Sequence, residues 1–203
     1  MTARVIDTVL LDLGNVLVFH DNELLFRRFA ERAGIGEAEV ARRFESELWP
    51  PMMLGPPSDE ERVRADVNRA LGTRFDAADF FALFNSHFTP HEAVMPLVEK
   101  LAGRVKLGLL SNTNAVHARF CRERLPVLRR FDALVMSCEV GLVKPDPAIY
   151  RTALRRLGSA PESTVFFDDI PTYVQAARSL GMHAEVFTTA AAFERSLTAL
   201  KVW

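Results

Sequence analysis

Four short segments carry residue types that can do chemistry as a group: Asp12-Leu13-Gly14-Asn15, Ser111-Asn112-Thr113-Asn114, Lys144-Pro145-Asp146-Pro147 and Asp168-Asp169. Asp12, Asp168 and Asp169 offer carboxylates, Ser111 a hydroxyl and Lys144 an ammonium. Carboxylates gathered on one rim repel one another unless a cation lies among them. Taken singly, each residue has a plainer reading. Asp12 caps a turn, Ser111 caps a helix, Lys144 is a solvated loop residue, and Asp168-Asp169 mark a turn before a helix opened by Pro171. Only a fold that brings the four segments together makes them a site.

The apolar pattern describes such a fold. Residues 5–11, 105–110, 133–136, 164–167 and 184–187 are rich in Val, Leu or Phe without strict alternation, as expected of parallel strands covered on both faces. Residues 96–101, 115–124, 147–157 and 173–180 place apolar side chains at helical spacing between the later strands. Alternating strands and helices predict an α/β fold with a doubly wound parallel sheet. Ligands of such sheets bind beyond the carboxyl ends of the strands. Asp12 follows the first run, Ser111 the second and Asp168 the fourth, with Lys144 past a loop after the third.

The stretch 22–92 breaks this rhythm and reads as about four helices with no convincing strand. Gly34 and Gly72 mark helix stops, and Ser58 before Asp59-Glu60-Glu61 marks a helix start. The expected organisation is a core of residues 1–18 and 93–203, with a small helical cap at 19–92 inserted after the first strand.

Bulk properties narrow the class. The chain has 203 residues, 49% hydrophobic and 25% charged, enough for one medium domain with a small insertion. A formal net charge of −1, with arginine pairs interleaved among acids, predicts no nucleic-acid or membrane partner. Cys121 and Cys138 make neither a disulfide framework nor a zinc pattern, which fits a reducing, cytoplasmic setting. The start of the sequence lacks a signal peptide's basic and apolar regions, and no apolar run is long enough to cross a bilayer.

The four segments, in this order and each beyond a strand, resemble the motifs of the haloacid dehalogenase superfamily. The first reads Val9-Leu10-Leu11-Asp12-Leu13-Gly14-Asn15-Val16-Leu17, the second Leu109-Leu110-Ser111-Asn112, the third Lys144-Pro145 and the fourth Val165-Phe166-Phe167-Asp168-Asp169. The insertion lies where that family carries a helical cap, and the resemblance runs along nearly the whole chain. It implies that Asp12 is the nucleophile and forms an aspartyl-phosphate. It implies Mg²⁺ held by Asp12, the backbone carbonyl of Gly14 and Asp169, with Asp168 alongside. Ser111, the backbone of Asn112 and Lys144 would hold the phosphate, with Leu13 and Gly14 at the same pocket. Lys144 would also offset the charge of Asp12 and substrate. The implied activity is Mg²⁺-dependent hydrolysis of a small phosphomonoester, with a sugar phosphate foremost. The implied partner is a small phosphorylated metabolite, the protein itself being a monomer or homodimer.

Two positions depart from the family pattern. Most of its phosphatases carry a second Asp two residues after the nucleophile, where this chain has Gly14. An acid usual in the fourth motif is replaced by Tyr173. The spelling Asp-Leu-Gly-Asn-Val resembles a bacterial subgroup that includes sugar-1-phosphate phosphatases. His20 and Asp21 are nearby candidates for the missing proton exchange, set against a solvent-facing place on the cap's first helix or linker. Phe44, Trp49, Met52 and Met53 read as cap core rather than ligand contacts. Two other readings use the same residues. One is a metal-free 2-haloacid dehalogenase, against which Asp168-Asp169 argue. The other is a degenerate binding or regulatory module, favoured by Gly14 and Tyr173.

Overall fold

A computed structural model describes residues 5–54 and 60–202. Among these described residues the strands are β1 Thr8–Leu11, β2 Val18–His20, β3 Phe88–Pro90, β4 Lys106–Ser111, β5 Ala133–Met136, β6 Thr164–Asp168 and β7 His183–Val186. Five of them form one parallel sheet in the order β5-β4-β1-β6-β7. The first strand is thus central, flanked by β4 and β6, and all three point their carboxyl ends at one edge. That arrangement brings Asp12, Ser111 and Asp168 together, because each lies at or just past the end of its strand.

The helices are α1 Asn22–Ala33, α2 Glu37–Arg43, α3 Trp49–Leu54, α4 Glu60–Leu71, α5 Ala77–Phe84, α6 Met95–Leu101, α7 Ala115–Arg124, α8 Ser137–Val140, α9 Pro147–Leu157, α10 Pro171–Ser179 and α11 Ala190–Ala199. Successive residues of a strand point to opposite faces, and β1 shows the consequence. Leu10 packs with Phe166, Ile149, Tyr150 and Ala177 under α9 and α10. Val9 and Leu11 pack on the other face with Leu97, Leu101, Cys121 and Phe193, under α6, α7 and α11. Both faces are therefore apolar, which is why the strands read as continuous hydrophobic runs. Each such buried Val, Leu or Phe contributes roughly 1.5–3 kcal/mol, so the sheet edge that carries the chemistry is a rigid platform.

The inserted helices have a core of their own. Phe29, Phe44, Phe80 and Phe84 are fully buried there with Leu25, Val63 and Val67, and Val116 of α7 joins the same cluster. Phe29 and Phe44 lie 5.3 Å apart and Phe80 and Phe84 5.0 Å apart between ring centroids, within the range of favourable aromatic pairs. A π-helical turn, Phe44–Leu48, joins α2 directly to α3. Asp21 caps α1 by accepting from the Leu24 N–H, and Gly34 ends it at φ 68°, where a β-carbon would be strained. Gly72, at φ 69°, follows α4 in the same way. The helix start expected at Ser58, like the Gly55-Pro56-Pro57 loop, lies outside the described residues.

The structure corrects the expectation of a strand-free insertion. The second and third strands pair antiparallel, His20 opposite Phe88 and Val18 opposite Pro90, and so join the two ends of the helical segment. Three-residue strands separated by the whole helical insertion, one ending in proline, carry too little period-two signal to be seen in sequence. The first strand also starts at Thr8 rather than at residue 5, and α11 was not anticipated. Among the described residues, no helix is long and apolar enough to cross a membrane.

Candidate active site

Asp12 stands just past β1, 6% exposed, with its N–H donating to the Phe167 carbonyl at 3.0 Å. Lys144 reaches it from the loop before α9 and is not a solvated residue at all: it is 2% exposed. Its Nζ lies 2.8 Å from Asp12 Oδ1 and 2.6 Å from Asp168 Oδ2. Asp168 is fully buried, and its other oxygen accepts from the Ile170 N–H at 2.8 Å. Asp12, Asp168 and Asp169 each offer an oxygen within 4.8 Å of the others. Three carboxylates thus face one ammonium. Fully ionised they leave an excess of two negative charges, which suits a divalent cation.

The protonation equilibria reflect that excess. Burial raises the Asp12 carboxyl above its ordinary range, with Lys144 opposing and Asp169 adding to the rise. Burial likewise lifts Asp168 to about 6, against the pull of Lys144 and with the push of Asp12. Burial also works against the Lys144 ammonium, but Asp12 and Asp168 outweigh it and its pKa is raised.

Asn112 was expected to contribute its backbone; its side chain has a separate task. Its Oδ1 accepts from the Lys144 N–H at 2.8 Å and its Nδ2 donates to the Lys144 carbonyl at 2.9 Å. This pair clamps the loop that delivers the ammonium. Tyr173, in place of the family's acid, accepts from Asn112 Nδ2 at 3.3 Å, and its ring centroid lies 5.0 Å from Lys144 Nζ. An aromatic face there supports the cation without adding a fourth carboxylate. Ser111 ends β4, buried, and does not cap the next helix; Asn114 does, accepting from the His117 N–H.

The turn after Asp12 explains the Gly-Asn spelling. Asn15 adopts φ 53°, a left-handed conformation that Asn tolerates better than most residues. From there its amide donates to Asp169 Oδ2 at 2.8 Å and lies 3.4 Å from His20 Nε2. A β-carbon on Gly14 would meet the His20 ring at 3.0 and 3.1 Å. The histidine therefore occupies the space into which a side chain at position 14 would project. Burial lowers its pKa, with Asp169 opposing. Asp21, in contrast, is committed to capping α1.

A cavity of about 230 Å³ opens above these residues, with Asp12, Leu13, Gly14, Ser111, Lys144 and Asp169 in its lining. Trp49 and Met53 also line it, whereas Phe44 and Met52 are buried in the cap core. Two further lining residues, His87 and His117, gave no sequence signal, since each sits in a stretch that reads as ordinary helix or loop. His117 Nδ1 lies 2.9 Å from Asn114 Nδ2 and its Nε2 3.2 Å from the Phe84 carbonyl. One neutral tautomer satisfies both contacts, with Nε2–H donating to Phe84 and Nδ1 accepting from Asn114. A larger cleft of about 620 Å³ lies on the cap among Arg42, Arg43, Arg62 and Arg69. Its arginines are paired with Glu39, Glu47 and Asp66.

The profile of haloacid dehalogenase-like hydrolases matches residues 6–181. The chain belongs to that family. A HAD-like family hydrolase from Porphyromonas gingivalis superposes with a TM-score of 0.83 at 26% identity, over 97% of this chain and 98% of that one. A HAD family enzyme from Bacteroides thetaiotaomicron, solved as a magnesium complex, gives 0.78 at 26% identity over 90% and 93%. A phosphatase from Mycobacterium tuberculosis is 35% identical over 150 residues, 73% of this chain and 61% of that protein. A phosphorylated carbohydrates phosphatase from Thermotoga maritima is 39% identical over 79 residues, 39% of this chain and 37% of that protein. The chain thus spans less than two thirds of the length of these curated relatives. As a haloacid dehalogenase-like hydrolase, it pairs the family's parallel sheet with a glycine and a tyrosine where two acids are usual.

Proposed function

We propose that this hydrolase is a phosphatase that cleaves a small phosphomonoester, a sugar phosphate foremost, with Asp12 as nucleophile. The observation that carries the reading is the buried ammonium of Lys144 bridging Asp12 and Asp168, with Asp169 beside them, at the floor of a small cavity. The similarity to two phosphatases, one named for phosphorylated carbohydrates, supports it. The pair Asp168 and Asp169 weighs against metal-free dehalogenation.

In this reading Asp12 attacks phosphorus and the bond to the leaving oxygen breaks, the electron pair departing with that oxygen. Water then attacks the aspartyl-phosphate, releasing inorganic phosphate and restoring Asp12. Lys144 favours the ionised form of Asp12 against its burial and balances charge on the phosphoryl oxygens. Asn112 fixes the position of Lys144 through its backbone. Ser111 and the backbone at Leu13, Gly14 and Asn112 hold the phosphate. Asp12, Asp169 and the Gly14 carbonyl, with Asp168 alongside, would hold Mg²⁺, which when bound neutralises the nucleophile and the phosphate oxygens together. His20, lying where a side chain at position 14 would stand, is the group placed to exchange a proton with water. The test is a panel of phosphomonoesters with and without Mg²⁺. Metal-dependent hydrolysis is expected; an inert panel, or full activity in chelator, would overturn the proposal.

A further inference from the structure

The cavity lining is divided by charge. Among the described residues that line it, the charged ones are Asp12, Lys144 and Asp169, all at the floor. Lys144 is already shared between two carboxylates. The remaining wall, including Trp49, Met53, Phe88, His87 and His117, carries no formal cation. The segment 55–59, outside the described residues, contains neither Lys nor Arg. Arg28, whose charge reaches His87, donates to the Ser86 carbonyl and lines a different cleft. The imidazoles do not supply positive charge either. The hydrogen bonds of His117 fit the neutral ring, and burial lowers the pKa of His117 and of His87, the last to about 4.

Two more observations concern what fits against that wall. The volume of about 230 Å³ falls below the roughly 300–1,000 Å³ of sites for drug-sized ligands. His87 is 4% exposed, and its Nδ1 has no hydrogen-bond partner among the described residues. Buried polar atoms are nearly always paired, and a hydroxyl of a bound molecule is a partner that its place in the wall would fit.

Resting on the phosphatase reading, we propose that the leaving group accepted here is compact, hydroxylated and uncharged, so that the substrate bears one phosphate and no second anionic group. A carboxylate or second phosphate on the leaving group would lose its water beside Trp49 and Met53 with no cation to meet it. The apolar side chains would instead cover the C–H surface of a neutral polyol.

The experiment compares matched esters on the intact protein with Mg²⁺. The pairs are a sugar-1-phosphate against the sugar-1,6-bisphosphate, and glycerol phosphate against phosphoglycerate, with p-nitrophenyl phosphate as a generic substrate. The member of each pair with the uncharged leaving group should show the higher kcat/KM, on the order of tenfold or more. Met53→Arg should shift the ratio toward the member with the anionic leaving group. Esters with anionic leaving groups cleaved equally well or better, while p-nitrophenyl phosphate is hydrolysed, would overturn this inference and leave the phosphatase reading standing. A ratio unmoved by Met53→Arg would count against the assigned wall. No hydrolysis of p-nitrophenyl phosphate or any ester would overturn the phosphatase reading and this inference with it.

Discussion

Gly14 determines which esters the site should favour. A phosphate on a primary alcohol expels a strongly basic alkoxide, and a positioned acid contributes roughly 10²–10⁴-fold to such a step. An anomeric phosphate expels a less basic hemiacetal oxygen and depends less on that acid. His20 is the replacement at this position, but its lowered pKa leaves the ring mostly neutral near pH 7, better suited to activating water than to protonating a leaving group. The expected wild-type preference is therefore for sugar-1- over sugar-6-phosphates. Gly14→Asp alone should not cancel it. The new β-carbon would sit 3.0 Å from the His20 ring, about 0.5–1 Å inside the ~3.5–4.0 Å of ordinary carbon contacts. The ring or the turn would have to give way, displacing His20. Gly14→Asp combined with His20→Ala removes the clash. In that double variant the preference should shrink by about tenfold or more, equivalent to about 1.4 kcal/mol of transition-state free energy. Phosphate-release kinetics on both esters in the three proteins give the ratios. A wild-type preference for the primary-alcohol ester would refute the reasoning, and so would a Gly14→Asp single variant that acts as well as the double.

Three further outcomes follow from the buried charges. Lys144→Met should slow turnover by on the order of 10²-fold or more, and metal-free protein should lose about 3–5 kcal/mol of stability in denaturant melts, since two buried carboxylates lose their shared partner; unchanged values would return Lys144 to a passive role. Asn112→Ala removes both hydrogen bonds to the Lys144 backbone, so stability should fall by about 1–3 kcal/mol and kcat more than KM should suffer; a change in KM alone would contradict the clamp. Mg²⁺ stabilisation should depend on pH with a definite sign. The folded pKa of Asp168, about 6, lies above its ordinary 3.8, so without metal its contribution to stability is present at low pH and lost as pH rises through 6. Metal competes with that proton, and the Tm increase on adding Mg²⁺ should be larger at about pH 7.5 than at about pH 5. His87, held at about 4 against an ordinary 6.5, works in the opposite sense, with stability falling as pH falls through that window. It is common to both conditions and cancels in the difference. Equal Mg²⁺ effects at the two pH values would contradict the carboxylate cluster.

Much of this architecture was legible in sequence because the strands are buried on both faces. Leu10 and Leu11 go to opposite layers, so both must be apolar, and the run announces itself. The carboxyl ends of those runs then named Asp12, Ser111 and Asp168, and the fold places them on one edge. The rest depended on tertiary contacts that no periodicity encodes. His87 lines the cavity from just before β3, which pairs with β2 across the whole insertion, and His117 lines it from the first turn of α7. Trp49 and Met53 share a helix with Met52, yet only the first two line the cavity. Asn15 was visible in the first motif, but its hold on Asp169 needs a left-handed backbone that sequence alone does not declare.

The central claim is that Asp12 carries the phosphoryl group. The direct measurement is a rapid acid quench of the enzyme turning over an aryl phosphate with Mg²⁺, followed by mass spectrometry of the peptide containing residue 12. An aryl leaving group departs without help from an acid, so phosphorylation should outrun hydrolysis of the intermediate, and the account predicts an initial burst of product and one phosphoryl group on Asp12, absent from Asp12→Asn. Phosphate release with no burst and no labelled peptide, or an Asp12→Asn protein active within a few fold of wild type, would contradict it.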